Sequence, residues 1–235
     1  MPSFRLLAVL VAAMWSTAPV VAAKPAAPSF DRDVMAVLSR AGCNAGACHG
    51  NLNGKGGFKL SLRGEDPAAD WATLTRDMLA RRIDTLRPDQ SLVLLKASGG
   101  VSHEGGVRFS DRAPENAILR DWVASGAPAD PPGQPALTRL TVSPANKVLV
   151  DPEDRFRVAV TAHFANGTTR DVTSLAAFDF TVPGVARITP QGEVIREESG
   201  EVVLLVRYLG RLAPVRAVFL PNRPEPDMRG AIATT

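Results

Sequence analysis

The 235-residue chain has two cysteines, one tyrosine and 6% aromatic residues, and its 27 basic and 24 acidic side chains leave a net charge of only +3. Two cysteines cannot build a disulfide scaffold. So mild and evenly spread a charge argues against a nucleic-acid or anionic-membrane surface. So few aromatics argue against a base-stacking platform. No phosphate-binding loop, dinucleotide fingerprint or Gly-x-Ser-x-Gly elbow is present. What remains, 45% hydrophobic and 22% charged residues, is ordinary for a folded chain of one large or two small domains.

The one long apolar run is N-terminal. Arg5 precedes Leu6–Met14, and Val21-Ala22-Ala23 supplies small residues before Lys24. Residues 1–23 therefore read as a secretory signal peptide, too short to cross about 30 Å of hydrocarbon comfortably. No transmembrane span is expected once it is cleaved. The protein is expected to be exported to a periplasm or another oxidising, extracytoplasmic space, where an unused free thiol does not persist.

Beyond a short leader, helical signals dominate from Phe30 to Pro128. Val34, Val37 and Leu38 form a stripe ending at Gly42, and residues 50–67 read as a Gly- and Asn-rich ordered loop. Trp71, Leu74, Met78 and Leu79 predict a helix from Asp70 to about Thr85. Ser91 opens a short helix and Pro114 a final one, ended by Gly126. Residues 129–136 are a Pro-rich linker. The pattern then changes to period two, with strands expected at 140–142, 147–150, 156–162, 186–188, 193–195, 202–208 and 215–220, and a tight turn at Asn166-Gly167. About seven short strands predict a small β-sandwich. Residues 221–235 read as a disordered tail.

Chemistry concentrates in Cys43-Asn-Ala-Gly-Ala-Cys48-His49. This C-x4-C-H run widens by two residues the C-x2-C-H pattern of c-type haem attachment. Two thiols must add across the two vinyl groups of the porphyrin, and the adjacent histidine must turn under the ring to reach iron. Ala45, Gly46 and Ala47 are small enough to let a looser loop do so. Three other readings compete: a Cys43–Cys48 disulfide, a zinc site completed by a distant histidine, and two buried free thiols. Candidates for a sixth iron ligand are His103, His163, Met35, Met78 and Met228. His103 stands out because Gly105-Gly106 gives its loop close access to a flat macrocycle. Lys55, Lys59, Arg63 and Arg108 are candidate partners of the haem propionates, Arg108 foremost. Asp151, Asp154, Asp171 and Asp179 read as turn and cap residues rather than calcium ligands. No carboxylate pair has spacing for acid–base catalysis, so no catalytic residue is assigned and an electron carrier is expected rather than an enzyme.

The run from Phe30 to Gly64 resembles planctomycete-type cytochrome c-like domains. The resemblance continues through Leu74–Asp77, Ser91–Lys96, His103–Gly106, Arg108-Phe109 and Leu119–Ala127. Relatives with the common attachment spacing carry Met-Pro-Pro where His103-Glu-Gly-Gly stands here, which implies that His103 replaces methionine. Residues 137–220 resemble bacterial Ig-like group 2 domains, chiefly through Phe164–Thr173 and Gly192-Glu-Val194. The resemblance implies two domains: an all-α cytochrome c-like domain at 29–128 and an all-β Ig-like sandwich at 137–220. One covalent haem c would be held by Cys43 and Cys48, with His49 as proximal and His103 as distal iron ligand. Electrons would pass to an unidentified redox partner protein, and a protein or glycan is the expected partner of the Ig-like part. Without haem, the alternative is a non-redox secreted Ig-like module with a disulfide or zinc site; with haem whose iron His103 does not reach, it is a small-ligand sensor or peroxidase with five-coordinate iron.

Overall fold

A computed structural model describes residues 27–222. The proposed signal peptide lies outside them, as does most of the C-terminal tail. Four helices, α1 (Met35–Arg40), α2 (Pro67–Thr75), α3 (Leu92–Ser98) and α4 (Pro114–Ala124), precede ten strands. The strands are β1 (Leu137–Ser143), β2 (Asn146–Val150), β3 (Arg155–Arg157), β4 (Ala159–Phe164), β5 (Thr169–Asp171), β6 (Ala177–Phe180), β7 (Ala186–Ile188), β8 (Glu193–Arg196), β9 (Gly200–Tyr208) and β10 (Arg211–Leu220).

The first half is not the all-α domain expected from the sequence. Its helices have only 6, 9, 7 and 11 residues, and turns and loops fill most of the chain between them. The molecule is mixed: a small helical segment followed by a sheet-rich region. The expected helix through Thr85 stops at Thr75 because Met78, Leu79 and Ala80 take left-handed φ values of 53°, 59° and 57°. For residues with a Cβ that conformation costs about 1–2 kcal/mol each.

Local chemistry sets the helix ends. Ser29 Oγ accepts from Arg32 N at 3.1 Å and starts the turn that leads into α1. Asp66 caps α2 through Ala69 N at 3.0 Å, with Pro67 at the first helical position. Residues 35–39 of α1 are buried on all sides, so this short helix is the axis of the helical segment. Phe30 and Trp122 pack against each other with ring centroids 5.2 Å apart.

The strands form three sheets, ordered β1-β4-β5, β2-β10-β9-β6 and β3-β8-β7. All pairings are antiparallel except β2 with β10, where Val148 lies opposite Val218. Period two decides the buried face: Val202, Leu204, Val206 and Tyr208 of β9 are buried, as are Val215, Ala217 and Phe219 of β10. The Asn166-Gly167 turn joins β4 to β5, with Phe164 N donating to Thr168 O at 2.9 Å.

A continuous apolar core runs from the helices into the sheets. Polar contacts stitch the same seam. Tyr208 Oη donates to Arg32 O at 2.9 Å, and Asp130 accepts from Phe30 N at 3.2 Å and Asp31 N at 2.8 Å. Arg32 reaches Pro135 O at 2.7 Å, so the proline-rich connection is tied at both ends. Burial pushes the Tyr208 hydroxyl up to about 12, which keeps it a donor at neutral pH. Tyr208→Phe should therefore lower stability by about 1 kcal/mol, the net worth of one buried hydrogen bond. Thermal unfolding checks this, with an expected fall of about 2–4 °C.

Candidate functional site

The candidate site begins where α1 ends. Cys43 N donates to Leu38 O at 2.8 Å, and His49 N returns to Cys43 O at 3.0 Å, so the C-x4-C-H run closes into a compact loop. Buried Asn44 pins it: its Nδ2 donates to Ser39 Oγ at 2.8 Å, and its carbonyl accepts from Arg63 N at 3.0 Å. Gly50 crosses directly over this residue, and a Cβ there would lie 2.0 Å from Asn44 O. From the far side, Asp70 accepts from both Ser61 N and Ser61 Oγ at 2.6 Å and anchors the end of the glycine-rich loop.

His49 is held by that loop. Lys55 and Phe58 pair as an isolated β-bridge, and His49 Nδ1 lies 3.0 Å from Phe58 O. A carbonyl only accepts, so Nδ1 carries the proton and Nε2 is left as a free donor of electrons. The imidazole also rests on the Phe58 ring, with centroids 4.6 Å apart. Burial lowers the His49 pKa, which favours the neutral imidazole.

His103 repeats the arrangement. Its Nδ1 lies 3.0 Å from Gly106 O, again leaving Nε2 free. Gly105 makes room for the ring: a Cβ at that position would sit 2.8 Å from His103 Cε1. The His49 and His103 rings lie parallel within 8°, with centroids 6.2 Å apart.

Cys43, Cys48, His49 and His103 all line one cavity of about 480 Å³. That volume is within the range of about 300–1,000 Å³ usual for cofactor-sized ligands. Leu38, Phe58, Leu92, Val93, Phe109 and Leu119 supply apolar wall, and Lys55, Arg81, Arg82 and Lys96 supply positive charge against a single acid, Glu104. The two thiols are not bridged. Burial pushes the Cys43 thiol up to about 11, with the nearby Arg108 charge opposing the shift, so the thiol is neutral at pH 7.

Arg108 is not on the cavity wall. Its Nε donates to Ala41 O at 2.6 Å and its Nη1 to Gly105 O at 3.1 Å, so the guanidinium expected for propionates is committed to backbone carbonyls. Of the other expected basic groups, Lys55 reaches the wall and Lys59 and Arg63 do not. His163 is remote on β4, with Nε2 2.9 Å from Thr141 Oγ1. Met35 is buried in the core, Met78 is 57% exposed, and Met228 lies outside the described residues. Asp151, Asp154 and Asp179 pair with arginines, and Asp171 accepts from Thr173 N at 2.8 Å. Among the described residues, no three His, Cys, Asp or Glu side chains converge closely enough to hold a metal by themselves.

Sequence reasoning missed Arg81, Arg82 and Lys96. Arg81 and Arg82 fall within the helix expected from Asp70 to about Thr85; the left-handed turn before them instead delivers both to the cavity. Buried Arg82 donates to Thr73 O and Gly57 O at 2.9 Å each and stacks 4.6 Å over the Phe58 ring, so it braces the wall behind His49.

No helix among the described residues is long and apolar enough to cross a membrane. No family model matches the chain, and no curated protein matches it. Among solved structures it is similar to surface layer protein SbsC, domains 1–6, at 13% identity and a TM-score of 0.33, over 38% of this chain and 14% of that one. It is also similar to the S-layer protein SbsC domains 4 and 5, at 11% identity and a TM-score of 0.32, over 37% of this chain and 53% of that one. The chain thus spans less than two thirds of either structure.

Proposed function

We propose that the protein is an exported electron carrier that holds one covalent haem c, built on a mixed helix–sheet scaffold. The observation that carries this reading is the pair of parallel imidazoles, 6.2 Å apart, in a cavity that also exposes both thiols of the C-x4-C-H loop. The donor set fits the group. Cys43 and Cys48 would hold the group by their thiols, and His49 and His103 would ligate its iron. The hydrogen bonds from each Nδ1 to Phe58 O and Gly106 O fix the ring tautomers and raise the basicity of each Nε2. The apolar side chains would exclude water from the iron, and Lys55 and Arg81 on the cavity wall would be available to the two propionates, whereas Lys96 Nζ donates to Ser102 O. When bound, haem supplies a one-electron ferric–ferrous couple. With both imidazoles bound, the iron would keep no open position, which would suit electron transfer rather than oxygen chemistry.

A second reading, a non-redox structural module with a Cys43–Cys48 disulfide, is favoured by the core and polar seam that the helical and sheet-rich regions share. Expression in a host that matures c-type cytochromes separates the two. The parent should stain for haem on a denaturing gel, and the Cys43→Ser/Cys48→Ser double variant should lose the stain entirely. An unstained parent with an intact disulfide would leave the structural reading standing.

A further inference from the structure

We infer that Arg108 is a positioning residue that sets the spacing of the two axial histidines. The inference rests on the haem reading above. The two imidazoles come from segments more than fifty residues apart in sequence, each on its own turn-rich loop. The attachment loop follows α1 and the distal loop follows α3, and among the described residues no backbone hydrogen bond runs from one loop to the other. One guanidinium spans them: Nε donates to Ala41 O, two residues before Cys43, and Nη1 donates to Gly105 O, two residues after His103. Arg108's own backbone is fixed, since its N–H donates to Ala97 O of α3 at 2.8 Å. The rigid fork therefore ties the attachment loop and the distal loop to a third element.

One glycine makes room for this strut and another for the distal ring. A Cβ on Gly42 would lie 2.7 Å from Arg108 Nη2, and one on Gly105 would lie 2.8 Å from His103 Cε1. Gly105 thus faces the distal imidazole with its α-carbon and offers its carbonyl to Arg108. Movement of that carbonyl moves the ring. Lysine keeps the charge at this position but lacks the planar fork needed to hold two carbonyls at set angles.

The test uses the haem-loaded full chain, with Arg108→Gln, Arg108→Lys and, as a charge control, Arg112→Gln. All should stain for covalent haem. In both Arg108 variants the ferrous spectrum should gain a five-coordinate component. Carbon monoxide should bind about 10–100-fold more tightly than to the parent, the usual scale for losing an outer-shell partner. Arg112→Gln should match the parent. Gly105→Ala, which crowds His103 directly, should reproduce the Arg108 effect. If Arg108→Gln carries haem with a spectrum and carbon monoxide affinity like the parent's, or if Arg108→Lys restores both fully, the strut is overturned while the haem reading stands. If Arg108→Gln does not mature, Arg108→Lys decides on the same criteria. A parent without haem overturns the haem reading, and the inference falls with it.

Discussion

His103→Ala should leave the haem stain at the parent's intensity and open the iron to exogenous ligands. On the haem reading, covalent attachment would depend on Cys43 and Cys48 and on the loop that closes His49 N onto Cys43 O at 3.0 Å, to which His103 makes no hydrogen bond. The distal imidazole has one hydrogen bond, to Gly106 O, and its loop is otherwise surface chain, so its removal should cost little stability. The parent should show a six-coordinate low-spin ferrous spectrum and only weak carbon monoxide binding. The variant should bind the gas stoichiometrically, and added imidazole should restore the low-spin spectrum. A variant spectrum identical to the parent's would remove His103 from the iron and point to a different sixth ligand. His49→Ala, by contrast, removes the ligand inside the attachment loop and should reduce the yield of matured protein.

Arg40→Ala should be the most destabilising single change at the seam between helices and sheets. Arg40 pairs with Glu115 at 3.1 Å, with the two side chains only 12% and 15% exposed. It also donates to Ala176 O, reaches Pro190 O at 3.0 Å, and lies 5.5 Å above the Phe178 ring. Truncation leaves a buried carboxylate and a buried carbonyl without partners, which costs about 3–5 kcal/mol. For a chain of this size that corresponds to a fall in Tm of roughly 6–20 °C. Calorimetry of the purified variant checks it. A shift below about 1 kcal/mol would mean that the pair is solvated like an ordinary surface bridge.

Much of the sheet-rich region was legible because alternation is a strong signal where one strand face is buried. Val202, Leu204, Val206 and Tyr208 occupy every second position of β9, and Asn166-Gly167 marks the β4–β5 turn. β5 and β6 were missed. The first is three exposed residues, and the second breaks its apolar run with Asp179. The parallel pairing of β2 with β10 has no local signature, since it joins segments some seventy residues apart.

The helical segment was read less well, for a definite reason. Met78, Leu79 and Ala80 are good helix formers at helical spacing, yet Leu79 is 99% exposed and the turn is left-handed. Neither glycine nor asparagine announces the turn, so propensity pointed the wrong way. The same turn brings Arg81 and Arg82 to the cavity, and backbone strain is commonly stored at such places. Cys43, Cys48 and His49, singled out by their spacing, and His103, singled out by its glycine-flanked loop, do line one cavity. Arg108 was singled out for its charge, whereas its geometry serves the loops. Only coordinates distinguish an arginine that faces a ligand from one that ties two carbonyls together.

The most direct test is the intact mass of the protein produced with cytochrome maturation machinery and then denatured. The haem account predicts a mass equal to the processed chain plus one porphyrin–iron group that denaturation does not release. The mass of the bare chain, or of the chain less two hydrogens from a Cys43–Cys48 bridge, would contradict it.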